Sequence, residues 1–126
     1  MASLTLPRHR NDGDWRAYFQ SQLAKLQREL PEGADSFAPH RPTSHIVTLA
    51  NQVANSLKRD DLPLPLIIAG SDGSLQIKWR KNRELSFFVS PEAVEFLRVD
   101  PKNGMEEGSV KNPAHASELI DWLLAS

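Results

Sequence analysis

The chain has 126 residues, of which 40% are hydrophobic and 25% charged, with a net charge of −1, nine prolines and no cysteine. That is enough for one ordinary domain with a single core, without the basic excess that would draw duplex DNA or an anionic membrane surface. The missing thiols exclude disulfides, Cys-ligated zinc, iron–sulfur clusters and thiol catalysis. No apolar run approaches the ~20 residues that span a bilayer. The opening segment, Met1 to Arg10, places its basic residues after a very short apolar stretch, unlike a signal peptide. A cytoplasmic domain without cofactor is expected.

Residues 1–13 are polar and irregular and read as a flexible arm, leaving 14–126 as one domain. Trp15, Phe19, Leu23, Leu26 and Leu30 recur at helical spacing behind Asp14, a plausible cap, and Pro31 and Gly33 stop that helix. Pro31 to Pro42 reads as a loop. Thr43 or Ser44 caps a second helix with a stripe of Ile46, Leu49, Ala50, Val53, Ala54 and Leu57. It ends in Lys58-Arg59, cations at the end that the helix dipole favours, with Asp60-Asp61 beyond.

After Leu62 the period shortens from 3.6 to 2. Pro63 and Pro65 are incompatible with a central strand, so Leu64 to Ala69 is expected at a sheet edge, followed by a tight turn at Gly70-Ser71-Asp72-Gly73. A three-residue loop at Lys81-Asn82-Arg83 sets Trp79 against Leu85, Ile77 against Phe87 and Leu75 against Val89. It also pairs Arg80 with Glu84 and Lys78 with Ser86; a one-residue slip would bring apolar and polar residues together throughout. The turn at Gly70–Gly73 predicts Ile68 opposite Leu75, Leu66 opposite Ile77 and Leu64 opposite Trp79.

Residues 90–99 admit two readings. Ser90-Pro91-Glu92 resembles a helix start, whereas Val94, Phe96, Leu97 and Val99 suit a strand, which is the reading favoured here. Asp100 to Gly104 is a turn, Met105 to Val110 a short last strand, and Asn112-Pro113 opens a final helix with Ala116, Leu119, Ile120 and Leu123 on its apolar face. The expected fold is α+β: two N-terminal helices, an antiparallel meander of four or five strands, and a C-terminal helix.

No catalytic constellation stands out. His9, His40, His45 and His115 have no metal-binding spacing, although His40 and His45 straddle a loop and a helix start where they could converge on a metal or a small hydrolytic site. Asp60-Asp61 and Glu106-Glu107 are adjacent pairs, and in a strand such neighbours point to opposite faces, which suits an acid–base dyad poorly. The glycines of Gly70–Gly73 lack a Walker lysine and a following helix, and no nucleophile-elbow serine is present.

Two features point toward a partner. Lys78, Arg80, Lys81 and Arg83 gather at one hairpin tip around Trp79, as in a nucleic-acid platform, but Trp79 belongs to the opposite face of its strand. Ile67, Phe88, Leu97 and Val99 project to a second sheet face, among Gln76, Lys78 and Ser86. Either the first helix covers that face or it receives a partner or a second copy.

The run Leu64-Pro65-Leu66-Ile67-Ile68, then Asp72-Gly73-Ser74-Leu75-Gln76-Ile77-Lys78-Trp79, then Leu85-Ser86-Phe87-Phe88-Val89 resembles a family of small uncharacterised bacterial proteins. These carry a proline-led strand before a D-G-G-I-x-L-E-W-like hairpin, and some are encoded near toxin–antitoxin genes. The resemblance covers roughly residues 62–99; Ser74 stands for the second glycine and Lys78 for the glutamate before the tryptophan. It implies a bacterial cytoplasmic accessory protein and carries no catalytic residue. Three functions follow, in order: a non-enzymatic interaction or regulatory module using the second sheet face, a nucleic-acid-binding regulator using the hairpin tip, and a small hydrolase or metal site at His40 and His45.

Overall fold

The computed structural model describes residues 15–30, 40–57, 59–70 and 72–125. The expected arm at 1–13, the Asp14 cap, His9, most of the Pro31–Pro42 loop and Lys58 lie outside them. The fold is α+β, three helices and one five-stranded antiparallel sheet: α1 (Trp15–Glu29), α2 (Ser44–Ser56), β1 (Leu66–Ala69), β2 (Leu75–Arg80), β3 (Glu84–Val89), β4 (Val94–Asp100), β5 (Gly104–Ser109) and α3 (Pro113–Leu124). The strands lie in sequence order, so β3 is central and β1 and β5 are the edges.

Local chemistry sets the helix starts. Thr43 Oγ1 accepts from the Ile46 N–H at 3.3 Å, and Asn112 Oδ1 accepts from the His115 N–H at 2.8 Å, with Pro113 in the first turn. α2 terminates at Leu57, whose N–H turns back to the Ala54 carbonyl before the basic run begins.

Residues 94–100 resolve as strand. The Ser90 N–H and hydroxyl both bond the Ala93 carbonyl, so Pro91-Glu92 turns the chain into β4 rather than opening a helix. Gly104, at φ +89°, takes the left-handed conformation that ends the turn at 101–103 and opens β5. At Gly108 an added Cβ would sit 3.1 Å from the Phe96 ring, so the glycine lets that ring lie over β5 and meet His115 edge-on.

The β2–β3 register is the expected one, Leu75–Val89, Ile77–Phe87, Trp79–Leu85 and Arg80–Glu84. The β1–β2 register is not. Ala69 faces Leu75 and Ile67 faces Ile77, one residue away from the expected pairing. The Gly70 N–H bonds the Ser74 carbonyl at 2.9 Å, and the Asp72 carboxylate accepts from the Ser74 N–H and hydroxyl, with Gly73 at φ +81°. The loop between the closing pair is thus three residues long, and a one-residue slip exchanges faces. Leu66 and Ile68 therefore leave the covered side, and Ile67 joins it.

All three helices lie on one face of the sheet. Trp15 of α1 meets Trp79 edge-on at 5.9 Å, and Trp79 meets Phe87 in the same way at 5.8 Å. α1 packs on β1, while α2 and α3 pack on each other and on β3. The core comprises Phe19, Leu23, Ile46, Leu57, Ile120 and Leu123 from the helical side, against Leu75, Ile77, Trp79, Leu85, Phe87 and Val89 from the sheet. The first helix does not cross to the second face.

Candidate interaction face

Because side chains alternate, the uncovered face follows from the register. Leu66, Lys78, Ser86, Leu97 and Glu107 form one row across the five strands. Ile68, Gln76, Phe88, Glu95 and Ser109 form the next, and Arg80, Glu84, Val99 and Met105 a third. Met105 is 73% exposed, Leu66 57% and Ile68 41%, while Phe88, Leu97 and Val99 are half-buried by their neighbours. A one-sided sheet normally shows polar residues to water. This one shows six apolar side chains instead.

Of the residues expected on this face, Phe88, Leu97 and Val99 are there. Ile67 is not: it opposes Ile77 and packs against the core, because the three-residue loop after Gly70 reverses the parity of β1. Leu66, Ile68 and Met105 are additions. Carrying the alternation of β4 through its turn would have placed Met105, which pairs with Val99; only the loop length could have placed Leu66 and Ile68.

Polar groups on the face are tied down at its centre. The buried Ser86 hydroxyl accepts from Gln76 Nε2 at 3.1 Å. Glu84 receives Lys78 Nζ at 3.2 Å and Arg80 Nη2 at 3.0 Å. Partial burial pushes the Glu84 carboxyl up, but its hydrogen bond to Lys78 and the two cationic charges outweigh this and hold it below the ordinary glutamate range. Toward β5 the character changes. A shallow cavity of about 240 Å³ opens between Phe88, Glu95, Phe96, Glu107, Gly108 and Ser109, with both carboxylates solvent-exposed.

The basic hairpin tip is divided by the fold. Arg83 turns to the covered side, where Nε meets Asp100 Oδ2 at 3.1 Å, Nη1 donates to the Trp122 carbonyl at 2.6 Å, and the guanidinium stacks on the Trp122 ring at 4.8 Å. Arg98, bonded to Glu106, stacks on the same ring at 5.1 Å. Asp100 also accepts from the Lys102 N–H and Asn103 Nδ2, and these bonds, the backbone one foremost, hold its carboxyl below the ordinary aspartate range. Of the four expected cations, Lys78 and Arg80 thus share Glu84, Arg83 joins β4 to α3, and Lys81 is exposed at the tip.

Among the described residues the histidines do not form a centre. His40 is buried, with its backbone N–H on the Gly70 carbonyl, whereas His45 is exposed in the first turn of α2, and His115 Nδ1 accepts from the Lys111 N–H. Among the described residues no group of three or more His, Asp or Glu side chains is placed to hold a metal ion. Asp60 and Asp61 pair separately with Arg16 and Arg59, and Glu106 and Glu107 point to opposite faces of β5. Among the described residues no helix is long and apolar enough to cross a membrane. No family model matches the chain, and no curated protein or solved structure is significantly similar to it.

Proposed function

We propose that this chain is a non-enzymatic interaction or regulatory module of a bacterial cytoplasm, binding a protein partner or itself through the uncovered face of its sheet. One observation carries the reading: all three helices lie on the Trp79 side, while Leu66, Ile68 and Met105 stay exposed on the other, beside Phe88, Leu97 and Val99. Apolar side chains left in water on four of the five strands, β1 and β3 to β5, with only Gln76, Lys78 and Arg80 on β2 between them, cost free energy unless something covers them. The ion pairs of Lys78 and Arg80 with Glu84, and of Arg83 with Asp100, weigh against the hairpin tip as a phosphate-binding surface. The bacterial and cytoplasmic setting rests on the hairpin resemblance.

A photo-cross-linking amino acid at Met105, compared with one at the exposed Glu118 of α3, tests the face in cells producing the chain. A covalent adduct from position 105 and none from position 118 is expected. No adduct from position 105 overturns the reading.

A further inference from the structure

We propose that the occupant of the uncovered face is a second copy of this chain, stacked face to face about a twofold axis that runs along β3. The inference rests on the docking reading above and names its partner. Its basis is the way charge divides across the face. β2 contributes the cations Lys78 and Arg80, which share the single carboxylate of Glu84 and so keep one net positive charge on that side, and β4 and β5 contribute the carboxylates Glu95 and Glu107 on the other. A twofold axis along the middle strand lays β2 of each copy over β4 of the other and β1 over β5, so each basic half meets an acidic half, twice. An axis across the strands would lay β2 on β2 and cation on cation.

The rows make the match specific. Lys78 and Leu97 stand in the same row on either side of Ser86. In the stacked pair, Lys78 of one copy arrives over Leu97 of the other, flanked by Glu95 and Glu107. That position is the mouth of the cavity in which Phe88 supplies an aromatic wall and the two glutamates supply negative charge. A lysine across a gap of about 10 Å between stacked sheets reaches such a cavity with its ammonium while its methylenes cover Leu97. The two β3 strands cross at about −30° as aligned sheets do. The crossing centres on the small, buried Ser86, so the Glu84 pairs of the two copies swing apart. The exposed Leu66 and Ile68 of β1 lie over the β5 edge of the other copy, which carries Met105, Glu107 and Ser109.

Area sets the strength. Five strands about 4.8 Å apart and six residues long make a face of roughly 20 Å by 20 Å, or roughly 400 Å² in projection. That is below the roughly 800 Å² per partner of a standard stable interface, so a reversible dimer is expected with a dissociation constant between about 1 and about 100 µM.

Sedimentation of the full chain from about 1 µM to about 1 mM tests this, together with two charge-reversed variants, Lys78→Glu with Arg80→Glu and Glu95→Lys with Glu107→Lys. Each variant alone is expected to associate at least about tenfold more weakly than wild type, and an equimolar mixture of the two to regain the mass of a dimer. A wild type that stays monomeric throughout, a dimer that persists undiminished in either variant, or a mixture that stays monomeric overturns the proposal. Reversing Lys78 and Arg80 leaves Glu84 without its cations, so Leu66→Glu with Met105→Glu serves as the second variant, because both side chains are exposed. It is expected to be monomeric and, at low concentration, to melt as wild type does; dimerisation at the wild-type strength overturns the proposal even if the first variant misfolds. The cross-link from position 105 separates the two levels. An adduct to another protein, with a monomeric wild type, overturns the second copy and retains the docking face, whereas no adduct and no dimer overturn both.

Discussion

Strands β2 and β3 present two unlike faces. Toward the helices, Leu75, Ile77, Trp79, Leu85, Phe87 and Val89 are all 1% exposed or less; toward the open side their immediate neighbours are the half-buried Gln76, Lys78 and Phe88 and the small, buried Ser86, mixed in polarity. The covered face is uniform because helices seal it, and burial at ~25 cal/mol per Å² rewards every apolar atom placed there. The open face lacks such a seal, yet it keeps large apolar side chains in every row. On the proposed function, Phe88, Leu97 and Met105 serve association, since a solvated sheet face has no need of them for folding.

The sharpest way to break that contrast is at the centre of the covered face. Trp79→Ala should lower stability by about 3–5 kcal/mol in chemical denaturation, because the indole is wedged between Trp15 and Phe87 and its removal leaves a cavity under α1. Trp79→Phe should cost far less, below about 1.5 kcal/mol. The indole N–H is buried without a hydrogen-bond acceptor, so phenylalanine gives up volume while also removing an unsatisfied donor. Equal losses in the two variants would show that the N–H does have a partner.

The next largest difference lies between two adjacent residues, and it also marks how far the sequence could be read. The β2–β3 hairpin was legible because six alternating positions on each strand, with Arg80 and Glu84 of opposite charge at the loop, make any other register costly. β1 offered only Leu66-Ile67-Ile68-Ala69, apolar on both sides, so its pattern could not choose a face and the turn decided. That turn is shaped by the Asp72 carboxylate bonding Ser74 and by the Gly70 N–H reaching the Ser74 carbonyl, contacts that spacing alone does not reveal. Ile67→Ala should therefore cost about 2 kcal/mol and Ile68→Ala less than about 0.5 kcal/mol, the reverse of the order that the expected register implies. Of the open face, Phe88, Leu97 and Val99 were legible as residues out of phase with the core. The acidic cavity was not, since it needs Glu95 and Glu107 from strands joined only by their register.

Smaller effects are expected where the two faces meet at the sheet end. Arg83→Ala removes the hydrogen bond to the Trp122 carbonyl and one of two guanidinium stacks on that ring, and should cost about 1 kcal/mol while loosening α3 from β4. Asp100→Asn tests the same cluster by pH. The Asp100 carboxyl is held below its ordinary value of 3.8 by its bonds to the Lys102 N–H, Asn103 and Arg83. Its contribution is therefore full above that value and disappears as the pH falls through the lowered folded value. Thermal melts should show wild type losing stability below pH about 4 more steeply than the Asn variant. Parallel acid profiles would remove Asp100 from the acid sensitivity of the fold.

The smallest expected change in stability is on the open face, and its smallness is informative. Met105→Ser and Leu66→Ser should each shift unfolding by less than about 0.5 kcal/mol, because both side chains already stand largely in water. If these residues serve association, the cost of removing them falls on the complex, so the variants should melt like wild type at low concentration and lose the rise in melting temperature that dimerisation confers at high concentration. A loss of stability that is the same at every concentration would instead assign Met105 and Leu66 to the fold of the single chain. That outcome would erase the distinction between the two faces, since both would then be serving the same core.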